Sequence, residues 1–349
     1  MTSDKNTFKW GLIGPGRIAA QFAKATQADF VGTLHAVASR DLNRAQAFAK
    51  EHNIAKTYTD YQTLLNDDDI DAIYIATPHR FHFEQIKQCL MAKKSVLCEK
   101  PLTINQTQAK ALFELAKTKN VFLMEAMWTL FLPVYQAVQE WIVQGDIGEL
   151  KYVQSTFGFP MPADSNERWL NKSLAGGVLL DMGIYNVATA DWFINQSLST
   201  DQTKQTLISP SIQAMGNIGQ SGVDELTMVN MQYQQGTIKK YAQFCCNFHT
   251  KTENCLWIYG TEGQIKIDNM FWGSNNASLY QQDNETPIKV FNEPLAINGF
   301  EYEIAEAERC IKQGLIQSPL VSEQQTVQQL HIMDEIRAQL GVSYPFAGE

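Results

Sequence analysis

No run of apolar residues in this chain is long enough to cross a bilayer, which excludes a helical membrane-spanning protein. Residues 1–6 are polar and lack the apolar centre of a secretory leader, so a cytoplasmic location is expected. Clustered basic stretches are missing, and the net charge is −9. Neither nucleic acid nor a membrane is therefore expected as a partner, and the acidic excess reads as a solubility feature. Cysteine is sparse: Cys89, Cys98, Cys245, Cys246, Cys255 and Cys310, with no C-x-x-C pair. That argues for reduced thiols rather than a disulfide framework, and no metal site is expected. There is no internal repeat and no low-complexity linker. What is present is 44% apolar and 19% charged residues, enough for a sizeable core. A length of 349 residues suggests two domains.

The organising stretch lies near the start. Residues 8–13 read as a short apolar strand, followed by Gly14-Pro15-Gly16-Arg17-Ile18-Ala19. Gly14, Gly16 and Ala19 fit the spacing G-x-G-x-x-A. The first glycine permits a tight turn, the second lets backbone approach a pyrophosphate, and the small third residue lets helix and strand pack closely. The helix that opens at Arg17 and Ile18 offers N–H groups to the phosphates. By itself the motif is also compatible with an ordinary glycine turn.

Its context favours the nucleotide reading. Strands are expected at 34–39, 72–76, 95–98 and 121–124, alternating with helices at 41–52, 61–65, 83–92 and 106–117. This alternation implies a parallel sheet with right-handed crossovers. The rhythm changes near Ala126. A helix at 134–144, a strand at 149–158 and a glycine-opened helix at 176–193 follow. Alternating residues at 227–233 and 241–248, with 255–259, predict long antiparallel strands in an open sheet. Two helices, about 301–313 and 323–340, close the chain. The expected fold is α/β: a Rossmann doubly wound domain at 1–126 and an α/β domain with a large, mainly antiparallel sheet at 127–349.

Four clusters carry chemistry. Ser39 and Arg40 stand at the end of the second strand, where an NAD-preferring enzyme usually has an acid for the ribose hydroxyls. A hydroxyl and a guanidinium suit a 2′-phosphate, so NADP(H) is expected over NAD(H), although neighbouring Asp41 could still hold a ribose. Thr77 and Pro78 end a strand at the carboxyl edge, where ligands bind in open parallel sheets. His82, one turn further on, either shapes that site or is structural. Glu99-Lys100-Pro101 ends the next strand towards the same crevice. In the second half, Gly176-Gly177 leads to Asp181 and Tyr185, four apart and on one helix face. Gly177 and Gly183 would leave room for a ligand, and a carboxylate in this apolar segment needs a partner, for which Lys100 is a candidate.

These motifs, in this order and over essentially the whole length, resemble the glucose-fructose oxidoreductase / inositol dehydrogenase (Gfo/Idh/MocA) family. Tyr at 185, where many members have His, and Met124-Glu125-Ala126-Met127-Trp128 resemble the branch holding dimeric dihydrodiol dehydrogenase and NADP-dependent xylose dehydrogenase. The resemblance implies a catalytic pair, Lys100 and Tyr185, with Asp181 as a site carboxylate. It also implies a homo-dimer or larger oligomer built on the open sheet. Cofactor contacts fall to Gly14, Pro15, Gly16, Arg17, Ile18, Ser39, Arg40, Thr77, Pro78, His82, Glu99 and Lys100.

The implied reaction is reversible hydride transfer between nicotinamide and a hydroxyl-bearing carbon of a sugar, polyol or cyclic dihydrodiol. Tyr185 would be the general acid/base; a free Tyr titrates at about 10, and a neighbouring Lys100 would favour its phenolate. Trp128, Phe131, Phe159 and Trp169 are candidates for an apolar wall, or core. Arg168 could bond substrate, meet an oligomer partner or be an ordinary surface residue. Two other functions are open: a non-catalytic NADP-binding sensor, and a glycosidase that uses a retained NAD.

Overall fold

The computed structural model describes residues 8–162, 167–198 and 207–346. The chain divides into two compact units. The first comprises residues 1–103, 107–131 and 295–326; the second comprises 104–106, 132–294 and 327–349. The first unit thus takes in a segment from the far end of the chain.

In the first unit, β1 (Lys9–Ile13), β2 (Thr33–Ala38), β3 (Lys56–Tyr58), β4 (Ala72–Ile75), β5 (Ser95–Glu99) and β6 (Leu123–Ala126) form one sheet in the order 3-2-1-4-5-6. All pairs are parallel. Strands β4 and β5 are buried on both faces, which their nearly unbroken apolar runs require. The helices are α1 (Arg17–Ala25), α2 (Leu42–His52), α3 (Tyr61–Leu65), α4 (His82–Met91) and α5 (Gln106–Lys119). Strand order reverses between β1 and β4, and ligands of such sheets bind outside the carboxyl ends of the strands at that switch. Gly14, Ser39, Thr77 and Lys100 all follow carboxyl ends, of β1, β2, β4 and β5. The expected Rossmann order is found; the short β3 was not foreseen.

The second unit contains α6 (Pro133–Val143), β7 (Leu150–Gly158) and α7 (Ile184–Leu198). It continues with β8 (Ser211–Ile218), β9 (Asp224–Gln235), β10 (Ile238–Asn247), β11 (Leu256–Gly260), β12 (Gly263–Ile267), β13 (Asn276–Gln281) and β14 (Lys289–Asn292). The sheet order is 14-13-12-11-7-10-9-8. Every pair is antiparallel except β10 with β7. Val153, Val229, Met231, Tyr233, Ala242, Phe244 and Ile258 face inward and are buried, and α7 packs on β7 and β10. This is the expected large open sheet. Strands β8, β12, β13 and β14 lie beyond those read from the sequence. The helices α8 (Phe300–Lys312) and α9 (Glu323–Leu340) close the chain as expected. Among the described residues no helix is long and apolar enough to cross a membrane. All six cysteines are free.

Candidate active site

The glycine turn after β1 has two different glycines. Gly14 has φ +93, and a Cβ there would lie 2.7 Å from the Thr77 methyl carbon. Only glycine tolerates both the dihedral and the contact. Gly16 is extended and caps α1 without a side-chain bond. A Cβ on Gly16 would meet nothing within 4 Å. No packing within the chain demands that glycine; the open space above a helix N-terminus fits a pyrophosphate. The first turn of α1, with Arg17 and Ile18, carries no acidic residue to repel an anion. Arg44 Nη2 donates to the Pro15 carbonyl at 3.0 Å and ties α2 to the turn, a contact not signalled by any motif.

Ser39 is buried at the end of β2, and its Oγ accepts the Asp41 N–H at 3.2 Å. Asp41 caps α2 by accepting the Arg44 N–H at 3.2 Å. The carboxylate that could have competed for a ribose therefore has a local task. Arg40 is exposed, with its guanidinium 5.7 Å from the Phe81 ring centre; Arg80 lies 5.6 Å from the same ring. Two cations thus gather on one aromatic ring beyond β2 and β4.

Pro78 precedes the short helical turn His79–Phe81. His82 is fully buried, with Nδ1 2.9 Å from the Pro101 carbonyl and Nε2 2.8 Å from the Thr77 carbonyl. It straps the loop after β4 to the loop after β5; a neutral ring donates to one carbonyl and an imidazolium to both. Glu99 is buried and accepts from the Tyr74 hydroxyl and from the Lys100 N–H. The Lys100–Pro101 bond is cis. Glu125 and Glu303 are among the further buried acids of this unit. Glu125 accepts from Leu102 N–H at 2.7 Å and the Thr326 hydroxyl at 3.1 Å. Burial pushes its carboxyl up to about 7, with both hydrogen bonds and the Lys100 charge pulling downward. Glu303, on α8, is buried and raised well above the usual carboxyl range by desolvation and then by the Glu99 charge. Trp128 stacks on Phe300, with ring centres 4.9 Å apart, and Phe131 is buried core of the same unit.

In the second unit the segment expected as one helix over 176–193 is built in three pieces. A glycine turn is followed by a π turn, Leu179–Gly183, and then by α7. π turns occur frequently at functional sites. Here the glycines fill a different role from the one expected. A Cβ on Gly176 would lie 2.6 Å from the Trp169 carbonyl, and one on Gly183 would lie 2.9 Å from Cys246 Sγ. For Gly177 the clash is 2.2 Å with Asp224 Oδ1. The room at Gly177 and Gly183 is thus taken by neighbouring groups of the same unit, not left for a ligand.

Asp181 sits in the π turn and accepts from Arg168 Nη2 at 2.7 Å, a partner that sequence did not assign to it. Arg168 and Trp169 lie on a short helical turn, Arg168–Leu170, and the Trp169 indole donates to the Pro162 carbonyl at 3.3 Å. Tyr185 is the second residue of α7 and is buried. Its ring centre is 6.0 Å from that of Phe157 and 6.4 Å from that of Trp272. Phe157 and Trp272 stack at 3.6 Å, and Phe159 meets Trp272 edge-on at 6.0 Å. Phe159 thus joins Tyr185 around a cluster whose centre, Trp272, sequence reasoning missed. Its only sequence signal was Phe271-Trp272-Gly273, an aromatic pair in a turn. Among the described residues no group of three or more His, Cys, Asp or Glu could hold a metal ion.

A family model described as "Oxidoreductase family, NAD-binding Rossmann fold" matches residues 8–127, and the "GFO/IDH/MocA C-terminal domain" matches residues 135–266. The trans-1,2-dihydrobenzene-1,2-diol dehydrogenase of Xenopus laevis is 34% identical over 342 residues, covering 97% of this chain and 99% of that protein. Its Mus musculus counterpart is 33% identical, covering 97% and 98%. A 3-ketoreductase from Actinomadura kijaniata, solved with NADP and TDP-benzene, superposes with a TM-score of 0.79 at 25% identity, covering 96% of this chain and 98% of that one. A levoglucosan dehydrogenase, at 20% identity, shares the fold with a TM-score of 0.79, covering 97% and 100%. With both halves of its structure and nearly its full length accounted for, the chain belongs to the Gfo/Idh/MocA family of NAD-binding oxidoreductases.

Proposed function

We propose that this enzyme moves a hydride between NADP(H) and a hydroxyl-bearing carbon of a cyclic dihydrodiol, sugar or polyol. The observation that carries the reading is Tyr185, held in an aromatic cluster at the start of α7, one turn beyond the Asp181–Arg168 pair. An apolar wall with a phenol and a charged hydrogen-bonding pair suits a ring bearing hydroxyls. Similarity to dihydrodiol dehydrogenases supports the same substrate class.

When bound, NADP⁺ supplies the hydride acceptor at its nicotinamide. The chain's own residues do the rest. Gly14, Gly16 and the start of α1 hold the pyrophosphate, with Pro15, Arg17 and Ile18 shaping that turn. Ser39 and Arg40 take the 2′-phosphate. Thr77, Pro78, His82 and Glu99 shape the nicotinamide end at the carboxyl edge of the sheet. Tyr185 removes the substrate's O–H proton, and Lys100 favours the phenolate and donates to the substrate oxygen. Asp181, oriented by Arg168, holds a neighbouring hydroxyl. Trp128, Phe159 and Trp169 contribute to the apolar wall. In this reading residues 1–126 bind the cofactor, and residues 127–349 bind substrate and drive assembly. The test is NADP⁺ reduction with trans-1,2-dihydrobenzene-1,2-diol, aldoses and inositols. No reduction across that panel rejects the reading, and release of phenol from an aryl glycoside would replace it with a glycosidase.

The NADP(H) preference has its own test. Arg40→Ala should weaken NADP(H) binding by about tenfold or more, the scale of a charge-assisted phosphate contact, and leave NAD(H) binding nearly unchanged. Equal losses for the two cofactors would show that Arg40 does not read the 2′-phosphate.

We also propose that the open face of the eight-stranded sheet pairs with a second copy. Met215, Met228 and Tyr241 are exposed on β8, β9 and β10. Gln154, Gln243 and Asn230 run across β7, β10 and β9 as an amide chain with hydrogen bonds of 2.9 Å. Tyr152, Tyr259 and Trp257 stack along β7 and β11. Such a mixed, partly apolar face is characteristic of interfaces. Light scattering at micromolar concentration should give at least twice the mass of one chain, and a monomer would refute this.

A further inference from the structure

The turn that leads into Asp181 and Tyr185 is seated on a carboxylate the sequence analysis did not single out. Asp224, the first residue of β9, is fully buried. Its Oδ2 accepts the Leu179 N–H at 2.7 Å and the Thr227 hydroxyl at 3.1 Å. Leu179 opens the π turn. The other oxygen, Oδ1, has no hydrogen-bond partner among the described residues and fills the space beside Gly177. Gly177 has φ +126, a conformation closed to other residues, and the preceding Gly176 carbonyl accepts the Tyr344 hydroxyl at 2.7 Å. Both hydrogen bonds given for this carboxylate therefore fall on the backbone that launches the π turn or on the strand that carries Asp224 itself. Burial raises its carboxyl to about 6, against the Leu179 N–H, the Thr227 hydroxyl and the charge of Arg337.

We infer that Asp224 is a positioning residue: by clamping Gly177 and Leu179 it fixes the start of the π turn and so sets where Asp181 and Tyr185 stand. A buried N–H at Leu179 has to find an acceptor. An ionised acceptor binds it more strongly than a neutral one. Without that acceptor the turn is free to relax towards ordinary helical bonding, which rotates the residues that follow it. Displacement of a reacting group by about 1 Å is enough to cost 10²-fold in rate. The inference rests on the reading of Tyr185 as the proton-transfer group.

The test uses the full-length enzyme with NADP⁺ and trans-1,2-dihydrobenzene-1,2-diol. Asp224→Ala should lower kcat by about 10- to 10²-fold. KM and the NADPH dissociation constant should stay within about twofold, since an orientation defect acts on the reacting geometry rather than on uniform binding. Asp224→Asn keeps an acceptor for Leu179 and should recover most of the loss. Thr227→Val, a gentler change that preserves shape, should show the same split at smaller amplitude and decides the matter if Asp224→Ala does not fold. Wild-type kcat in both Asp224→Ala and Thr227→Val, or equal losses in the Ala and Asn variants, would overturn the inference. Tyr185→Phe run in parallel separates the two failures. If Tyr185→Phe is inactive and Asp224→Ala is fully active, only the positioning role is lost; if Tyr185→Phe is fully active, the proton role falls and takes the positioning role with it. The clamp is also read without turnover. Gly177→Ala and Asp224→Ala should be partly non-additive in thermal unfolding, because removing the carboxylate relieves its clash with the added methyl while the strain of φ +126 remains. Additive losses would overturn the clamp.

Discussion

Tyr185→Phe should reduce kcat by ~10²–10⁴-fold, the usual cost of losing a general acid/base. The substitution removes one O–H and keeps the ring, so the contacts with Phe157 and Trp272 survive. Folding should be unaffected. NADP(H) affinity should hardly change, because the pyrophosphate turn and the Ser39–Arg40 corner belong to the other compact unit. The measurement is a steady-state rate on the best substrate of the panel, alongside a fluorescence titration with NADPH. A kcat close to wild type would make Tyr185 a packing residue of the aromatic cluster and leave Lys100 as the leading proton-transfer group.

Lys100→Met should produce the second large loss, again in kcat and of about 10²-fold or more. Its signature differs from that of Tyr185→Phe. A cation beside a phenol favours the phenolate, and removing the cation disfavours it. In the direction of diol oxidation the rate rises as the base loses its proton. In Lys100→Met that rising limb should therefore move to higher pH, whereas in Tyr185→Phe it should disappear. An unmoved limb in Lys100→Met would show that Lys100 does not act on the base. The buried neighbours of Lys100 need watching in this experiment. Glu125 is already pushed up to about 7 by burial, and the Lys100 charge is among the influences holding it down. Loss of that charge should favour a protonated Glu125, so thermal stability should be compared across the same pH range.

The nucleotide-binding half was legible from sequence because each of its signals is local. The glycine turn at Gly14 and the apolar runs at β4 and β5 sit within a few residues of what they determine, whereas the contact of Gly14 with Thr77 and the capping role of Asp41 came only from the structure. The second half was legible in outline only. Alternation found β9 and β10, whose inner faces are buried, and missed β8, which is exposed along most of its length and so shows no contrast between faces. Trp272 could not be joined to Tyr185 from sequence, because their proximity is made by the sheet and not by spacing. The glycines of 176–183 mislead for a related reason. Absence of a side chain states that something comes close but not what it is, and here it is a carboxylate, a sulfur and a carbonyl. Arg168 was chosen as a site residue without its partner, since Asp181 meets it through a turn that no periodicity describes.

The segment 295–326 has a consequence for how the protein is made. Glu308 on α8 accepts the Trp10 indole N–H at 2.9 Å and the Gly32 N–H at 2.6 Å. These are the first strand and the first crossover of the nucleotide-binding unit. During synthesis their partner emerges only after almost the whole second unit has left the ribosome. Until then both donors lack that acceptor. The dinucleotide-binding unit of this enzyme is consequently begun well before residue 132 and completed only after residue 294, so a fragment cut near residue 127 would carry the fingerprint without the helix that seals it.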